Sequence, residues 1–357
     1  MTRPSLGRKK RCALLLVACT ALSCVAPRRA ATSTRTLEVP RRIVQLATIG
    51  LDAVTAASPA WKGWSPNRYP FCIVDGPDQW LFQAPGRPPG YDDVVRPSPL
   101  GEVYRASSLL EIDGTRSAPP ASFFAFTSQG RQAGKIAFFI AVPESAPPSD
   151  NLTGSEWATV FVHEYFHTFQ LGEHWPVDWS SFEAARPALS RQYERPDYRR
   201  QIAEELATER ALVDELDERH QVGHDGVAAL LEHRRRRRAA LGPLAAADSA
   251  LELVEGTARF VNQAVYDGEA GARALRAADA RFVPPTREQQ LKAGFGVEGP
   301  RYWYATGYGL VRLLEALDPT WHERLAQGDL GVLLACATRS PKECDALARP
   351  SNETGSR

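Results

Sequence analysis

The chain has 357 residues, is 43% hydrophobic and 24% charged, and carries a formal net charge of +1. That length suits one large domain or two smaller ones and is ample to bury a core. The near-zero charge argues against nucleic acid as a partner. No stretch beyond residue 25 has the roughly 18 consecutive apolar residues of a membrane span.

The first segment in chain order is a leader. Arg8-Lys9-Lys10-Arg11 precedes an apolar run over 12–23 that ends at Cys24. A positive flank and a run of that length predict export. Two versions stay open: an ordinary cleaved signal ending at Ser23 or near Ala31, or a lipoprotein leader in which Cys24 takes the lipid and tethers the chain to a membrane. Leu16-Val17-Ala18-Cys19 is a second, shorter candidate for that leader. Each version places the mature chain outside the cytoplasm, periplasmic, at the cell surface or secreted. Cys336 and Cys344 bracket a short loop and are candidates to pair in an oxidising compartment. Cys72 lies in an apolar run and is expected to be buried.

Residues 25–40 read as a linker. From 41 to 150 the pattern is mixed and strand-rich. A helix is predicted over 41–57, then strands at Phe71–Val74 and Trp80–Phe82 around the turn signal Asp75-Gly76-Pro77-Asp78. Residues 86–99 read as loop. Phe123–Thr127 and Ile136–Val142 read as a hairpin. After 150 the chain turns helical, with helices predicted over 154–171, 199–219, 226–241, 247–266 and 302–317. This helical part runs to about 345, with 175–245 as an inserted helical pair and 346–357 as a tail. The five arginines Arg234 to Arg238 sit in a helical context beside an acidic stretch and are expected to form a solvated face.

The chemistry-bearing motif is His163-Glu164-Tyr165-Phe166-His167. Residues four apart share one face of a helix, so both imidazoles can reach one zinc ion. Glu164 is rotated about 100° away, placed to take a proton from water beside the metal. From Trp157 to Leu171 the helix is apolar on nearly every side, with Glu164 its only charged residue. Such a helix is a buried one, where two histidines and a carboxylate are costly unless something satisfies them.

A catalytic zinc needs a third protein ligand. Positions 170 and 173 are Gln and Glu, which disfavours the metzincin pattern. Leu253-Val254-Glu255-Gly256-Thr257-Ala258-Arg259-Phe260 resembles gluzincins, zinc peptidases whose third ligand is a glutamate. The resemblance is to their aminopeptidase-N-like branch, in which that glutamate lies in a helix patterned Glu-Gly-x-Ala-x-aromatic. Leu251, Val254, Ala258, Val261 and Val265 form an apolar stripe with Glu255 on its shoulder and Glu252 further round. Gly256 would let another helix approach closely. Tyr304-Ala305-Thr306-Gly307-Tyr308 resembles the family's Tyr-x-x-Gly segment, whose tyrosine stabilises the oxyanion. Tyr304 is the residue carried over, with Tyr308 as the alternative.

The resemblance implies an α+β zincin-like fold, one zinc ion held by His163, His167 and Glu255, Glu164 as general base, and a peptide or protein substrate. In zincin peptidases a sheet edge strand near the active-site helix binds extended substrate. Ile136–Val142, shortly before the motif helix, is the candidate for it. Two departures are visible. Glu255 follows His167 by 88 residues, far more than in the aminopeptidases. Their Gly-x-Met-Glu-Asn motif, which grips a free substrate amine, is missing, since the only methionine is Met1. Other classes stay open beside the peptidase: a catalytically inactive zincin-like surface lipoprotein acting as a binding module, and a zinc hydrolase acting on a non-peptide bond.

Overall fold

In the computed structural model the first described helix, α1 (Arg41–Ala57), buries Ile43, Ala47, Gly50, Leu51 and Val54, a stripe at helical spacing. The structure describes residues 38–93, 100–107, 124–129, 135–141 and 153–339 except 174, 176, 298 and 328, together with Cys344. The leader with Cys24, the linker up to 37, and the tail lie outside the described residues, as do Phe123 and Val142. Among the described helices, α1 with the turn after it matches a bilayer span in length and hydropathy. Its inner face packs against the motif helix α2 (Gly154–Gly172), where Trp157 donates its indole N–H to the Leu46 carbonyl at 2.9 Å. Gly50 makes room for the Phe161 ring, which a Cβ there would meet at 2.5 Å.

Next come β1 (Phe71–Asp75) and β2 (Asp78–Phe82), an antiparallel hairpin with Phe71 opposite Phe82. Its two-residue loop has Gly76 at φ +57°, a conformation that favours glycine. β3 (Asp92–Asp93) lies in the stretch read as loop, followed by β4 (Val103–Ala106), β5 (Phe124–Gln129) and β6 (Lys135–Ala141). The sheet order is β3-β4-β2-β1-β6-β5; the β1–β6 pair is parallel and the others antiparallel. β6 is therefore paired on both sides, and β5 is the edge strand at that end. The expectation that the 136–142 run is the free edge is corrected. Its antiparallel hairpin partner covers one side and β1 covers the other.

α2 begins at a capping box between Thr153 and Glu156 and lies on this sheet. Phe161 and Tyr165 meet Phe71 edge-on at 5.0 and 6.2 Å. The Tyr165 hydroxyl accepts from the Tyr69 backbone N–H at 3.0 Å and donates to the Pro66 carbonyl at 2.9 Å, so this buried phenol is satisfied.

The helical part continues with α3 (Trp179–Tyr193), α4 (Pro196–Arg219), α5 (His224–Leu241), α6 (Ala245–Gln263), α7 (Gly268–Ala278), α8 (Arg287–Gly294), α9 (Trp303–Leu317) and α10 (Leu330–Ala337). The inserted segment is three helices rather than a pair. α3 was not legible as one because Pro187 sits inside it, against the usual rule for helix interiors. Leu37–Arg357 clusters as one compact unit, so the change near residue 150 is one of composition within it. Cys336 and Cys344 form a disulfide. Cys72 is buried, its sulfur 3.2 Å from Gln79 Nε2.

The arginine run does not form a solvated face. Arg234 and Arg237 are 2% and 0% exposed. Arg234 donates to Glu205 (2.8 Å) and Glu252 (2.7 Å). Arg237 donates to Glu205 (2.5 Å), Asp248 (2.6 Å) and Glu252 (2.6 Å). Tyr302 donates to Asp248 at 2.5 Å and Thr306 to Glu252 at 2.7 Å. The network ties α4 and α5 to α6 and α9. Residues 234 and 237 are three apart and share one helix face; that face turns inward, while Arg235 and Arg236 pair with Glu232 outside. Against the cost of burial, Arg234 and Arg237 pull Glu252 down to about 2. Burial pushes Asp248 up to about 6 against the pull of Arg237. Burial and the neighbouring Glu205 hold Glu209 well above the carboxylate range. Neither of the Glu209 oxygens has a hydrogen-bond partner.

Candidate metal centre

The centre is built where three helices meet. α2 contributes His163, Glu164 and His167, α6 contributes Glu255, and α9 contributes Tyr304. α6 and α9 approach so closely because glycines face each other across the crossing. A Cβ on Gly256 would lie 2.3 Å from Gly307 Cα, and one on Gly307 would lie 2.3 Å from the Glu252 carbonyl oxygen. The close approach expected of Gly256 is thus present, and it sets Glu255 and Tyr304 side by side.

His163, His167 and Glu255 are 8%, 7% and 4% exposed. The two Nε2 atoms are 3.0 Å apart, and Glu255 Oε2 lies 3.4 Å from that of His163 and 3.2 Å from that of His167. Oε2 makes no well-directed hydrogen bond. Three buried ligand atoms converge here, in an arrangement that leaves Glu255 Oε2 dependent on the imidazoles beside it. It fits a cation. Two ligand atoms each about 2.0–2.1 Å from a tetrahedral zinc stand about 3.3 Å apart, close to all three separations. The donor set, two imidazoles and a carboxylate, is also one that zinc takes. Without a metal, burial lowers the pKa of His167, but the Glu255 charge outweighs this and raises it to about 9. Burial raises that of Glu255, but His167 and His163 hold it well below the usual range. A proton on His167 thus meets the charge of the carboxylate, and metal uptake at such a set displaces protons.

Two residues that the sequence reading passed over hold these groups in place. Gln170 Oε1 lies 2.6 Å from His167 Nδ1. The Gln170 amide donates to the Val254 carbonyl at 2.9 Å and to Thr257 Oγ1 at 2.8 Å. This fixes the amide orientation, so Oε1 accepts from Nδ1–H and the Nε2 lone pair is turned toward the centre. Gln170 stands three residues after His167 on a buried helix, and that spacing was the available signal. Arg186 of α3 donates to Glu255 Oε1 at 2.7 Å, leaving Oε2 toward the histidines. Nothing local marks Arg186, because its helix carries no clear periodicity.

Glu164 is half-buried beside the ligands; desolvation raises its pKa, while the histidines lower it. The Tyr304 ring stacks on His163 at 5.6 Å. Burial and the charge of Glu255 hold the Tyr304 phenol well above its ordinary pKa. Tyr308 is 1% exposed and its hydroxyl is 3.4 Å from Arg312 Nη1, so it is occupied elsewhere. Glu252, the other glutamate on α6, is likewise committed to Arg234 and Arg237. A cleft of about 230 Å³ opens onto His163, Glu164 and Tyr304, with Arg259, Asn262, Gln263 and Arg301 also lining it.

No family model, no curated protein and no solved structure matches the chain.

Proposed function

We propose that the chain is a zinc-dependent metallopeptidase with a zincin-like arrangement. In this reading His163, His167 and Glu255 are the metal ligands and Glu164 is the general base. The observation that carries this reading is the convergence of three buried ligand atoms within 3.4 Å of one another, with the carboxylate of Glu164 at a cleft beside them. A purely structural site needs neither the fourth group nor the opening.

When bound, zinc supplies a Lewis acid that brings the pKa of water to about 7. The chain's own residues do the rest. Glu164 accepts a proton from the attacking water and returns it to the leaving nitrogen. Tyr304 offers a phenol donor to the charge that develops on the carbonyl oxygen. Gln170 and Arg186 keep His167 and Glu255 aimed, so no reorganisation is needed at the moment of reaction. An exported chain, as its leader suggests, would meet peptide substrates outside the cytoplasm.

The test is zinc content by elemental analysis of the purified chain, parent beside Glu255→Ala, with peptide hydrolysis measured for Glu164→Gln. About one zinc per parent chain, sharply reduced in Glu255→Ala, is expected. Glu164→Gln keeps the zinc and loses hydrolysis. A parent that takes up no zinc after reconstitution, or a Glu164→Gln variant as active as the parent, would refute the proposal.

A further inference from the structure

We infer that the cleft recognises the main chain of a peptide substrate through Gln263, whose side-chain oxygen accepts a substrate backbone N–H. This deepens the peptidase reading of the same cleft and rests on it. The cleft is walled by Val160, His163 and Glu164 of α2 and, on α6, by Asn262 and Gln263 among others. Glu255, Asn262 and Gln263 stand at i, i+7 and i+8 on α6, the spacing of one helix face. The cleft therefore leads from the ligands toward the C-terminal end of α6, and an extended peptide held at the centre passes along that wall.

What sets Gln263 apart is an unmet hydrogen bond. Its Oε1 is buried and has no partner among the described residues, while its Nε2 faces Asn262 Oδ1 at 3.5 Å. Turning the amide over would set two oxygens against each other at that distance and bury an unpaired N–H instead, so the oxygen is the group left over. Such an acceptor costs free energy until a donor reaches it. Other glutamines use both ends of the amide. Gln83 donates to the Pro66 carbonyl and accepts from the Tyr165 hydroxyl, and Gln170 donates to the Val254 carbonyl and accepts from His167. Of the glutamine oxygens left unpaired among the described residues, those of Gln201 and Gln263, only the second belongs to a residue lining the cleft. The torsion that turns a glutamine amide is broad, so Oε1 can swing from the wall to a donor in the cleft. A carboxamide is neutral and carries both an acceptor and donors, which complements a peptide group and is indifferent to the charge of substrate side chains.

A blocked hexa-alanine peptide and its set of single amide-to-ester variants test this, because each ester removes one backbone N–H with little change of shape. Calorimetric binding is measured on the full zinc-loaded chain carrying Glu164→Gln, and kcat/KM for the all-amide peptide on the parent. One ester variant is expected to bind at least about fivefold more weakly than the all-amide peptide. Gln263→Met keeps the length of the side chain without its polar atoms. There the all-amide peptide is expected to weaken by a similar factor and the ester penalty to vanish. In Gln263→Glu, which keeps the acceptor, the penalty is expected to persist. Both variants are compared at the parent's zinc content. Binding of none of the peptides, equal binding of all, or an ester penalty unchanged in Gln263→Met overturns the assignment. A parent that hydrolyses none while the ester pattern holds would sink the peptidase reading and leave the main-chain site standing. Hydrolysis of hexa-alanine with the same kcat/KM in the parent and in Gln263→Met would do the reverse.

Discussion

Gly256→Ala tests whether the α6–α9 crossing assembles the centre. The added Cβ would sit 2.3 Å from Gly307 Cα and 3.0 Å from the Tyr308 backbone nitrogen, against 3.4 Å where ordinary contact begins. The shortfall is about 1.1 Å, and it is against backbone, so no side chain can rotate away. The helices must part. Overpacking of this kind costs about 1–3 kcal/mol; a backbone clash belongs at the upper end, while alanine returns about 1 kcal/mol of helix propensity. A net loss of about 2 kcal/mol is expected, read as a lower urea midpoint. Zinc ligand distances tolerate only about 0.2 Å, so displacement of Glu255 is expected to weaken zinc binding at least tenfold in chelator competition. Gly86→Ala, where nothing lies within 4 Å, is the control and should change neither. A Gly256→Ala chain with the parent's urea midpoint and zinc affinity would refute the claim that this contact positions Glu255.

Gln170→Leu removes the acceptor of His167 Nδ1–H, and zinc affinity should fall about 10–100-fold, measured by the same competition; an unchanged affinity means that Gln170 does not orient the ligand. Arg237→Met removes the buried partner that Glu205, Asp248 and Glu252 share, leaving Arg234 on Glu205 and Glu252, and should cost about 3–5 kcal/mol in urea unfolding. A loss under about 1 kcal/mol would show that the network relaxes or admits water. Glu209 has a folded-state pKa held above its unfolded value by burial. Its contribution is therefore fully present below about pH 4.3 and is lost as pH rises toward the folded value. Glu209→Gln should grow more stable relative to the parent as pH rises from 4 to 8; a pH-independent difference would contradict this.

Much of the site was readable locally. An imidazole pair at i and i+4 is made by a single helix, so its geometry comes with the spacing. The apolar surroundings of 157–171 foretold burial, and the Glu-Gly-x-Ala segment pointed to Glu255 although 88 residues separate it from His167. The hairpin at Gly76 and the span of α1 were readable for the same reason, because backbone conformation and helical periodicity are set by near neighbours.

What the tertiary structure decided is which partners the polar groups find. Arg234 and Arg237 are indistinguishable in sequence from Arg235 and Arg236, and only the packing of α5 against α4 and α6 turns one pair inward to Glu205 and Glu252. The same holds for Arg186 on Glu255 and for β5 rather than β6 at the sheet edge. Hydrophobic periodicity reports which face of an element avoids water. A buried ion network satisfies that demand with charge, so its residues carry the pattern of a solvated face until the opposite charges are seen to meet.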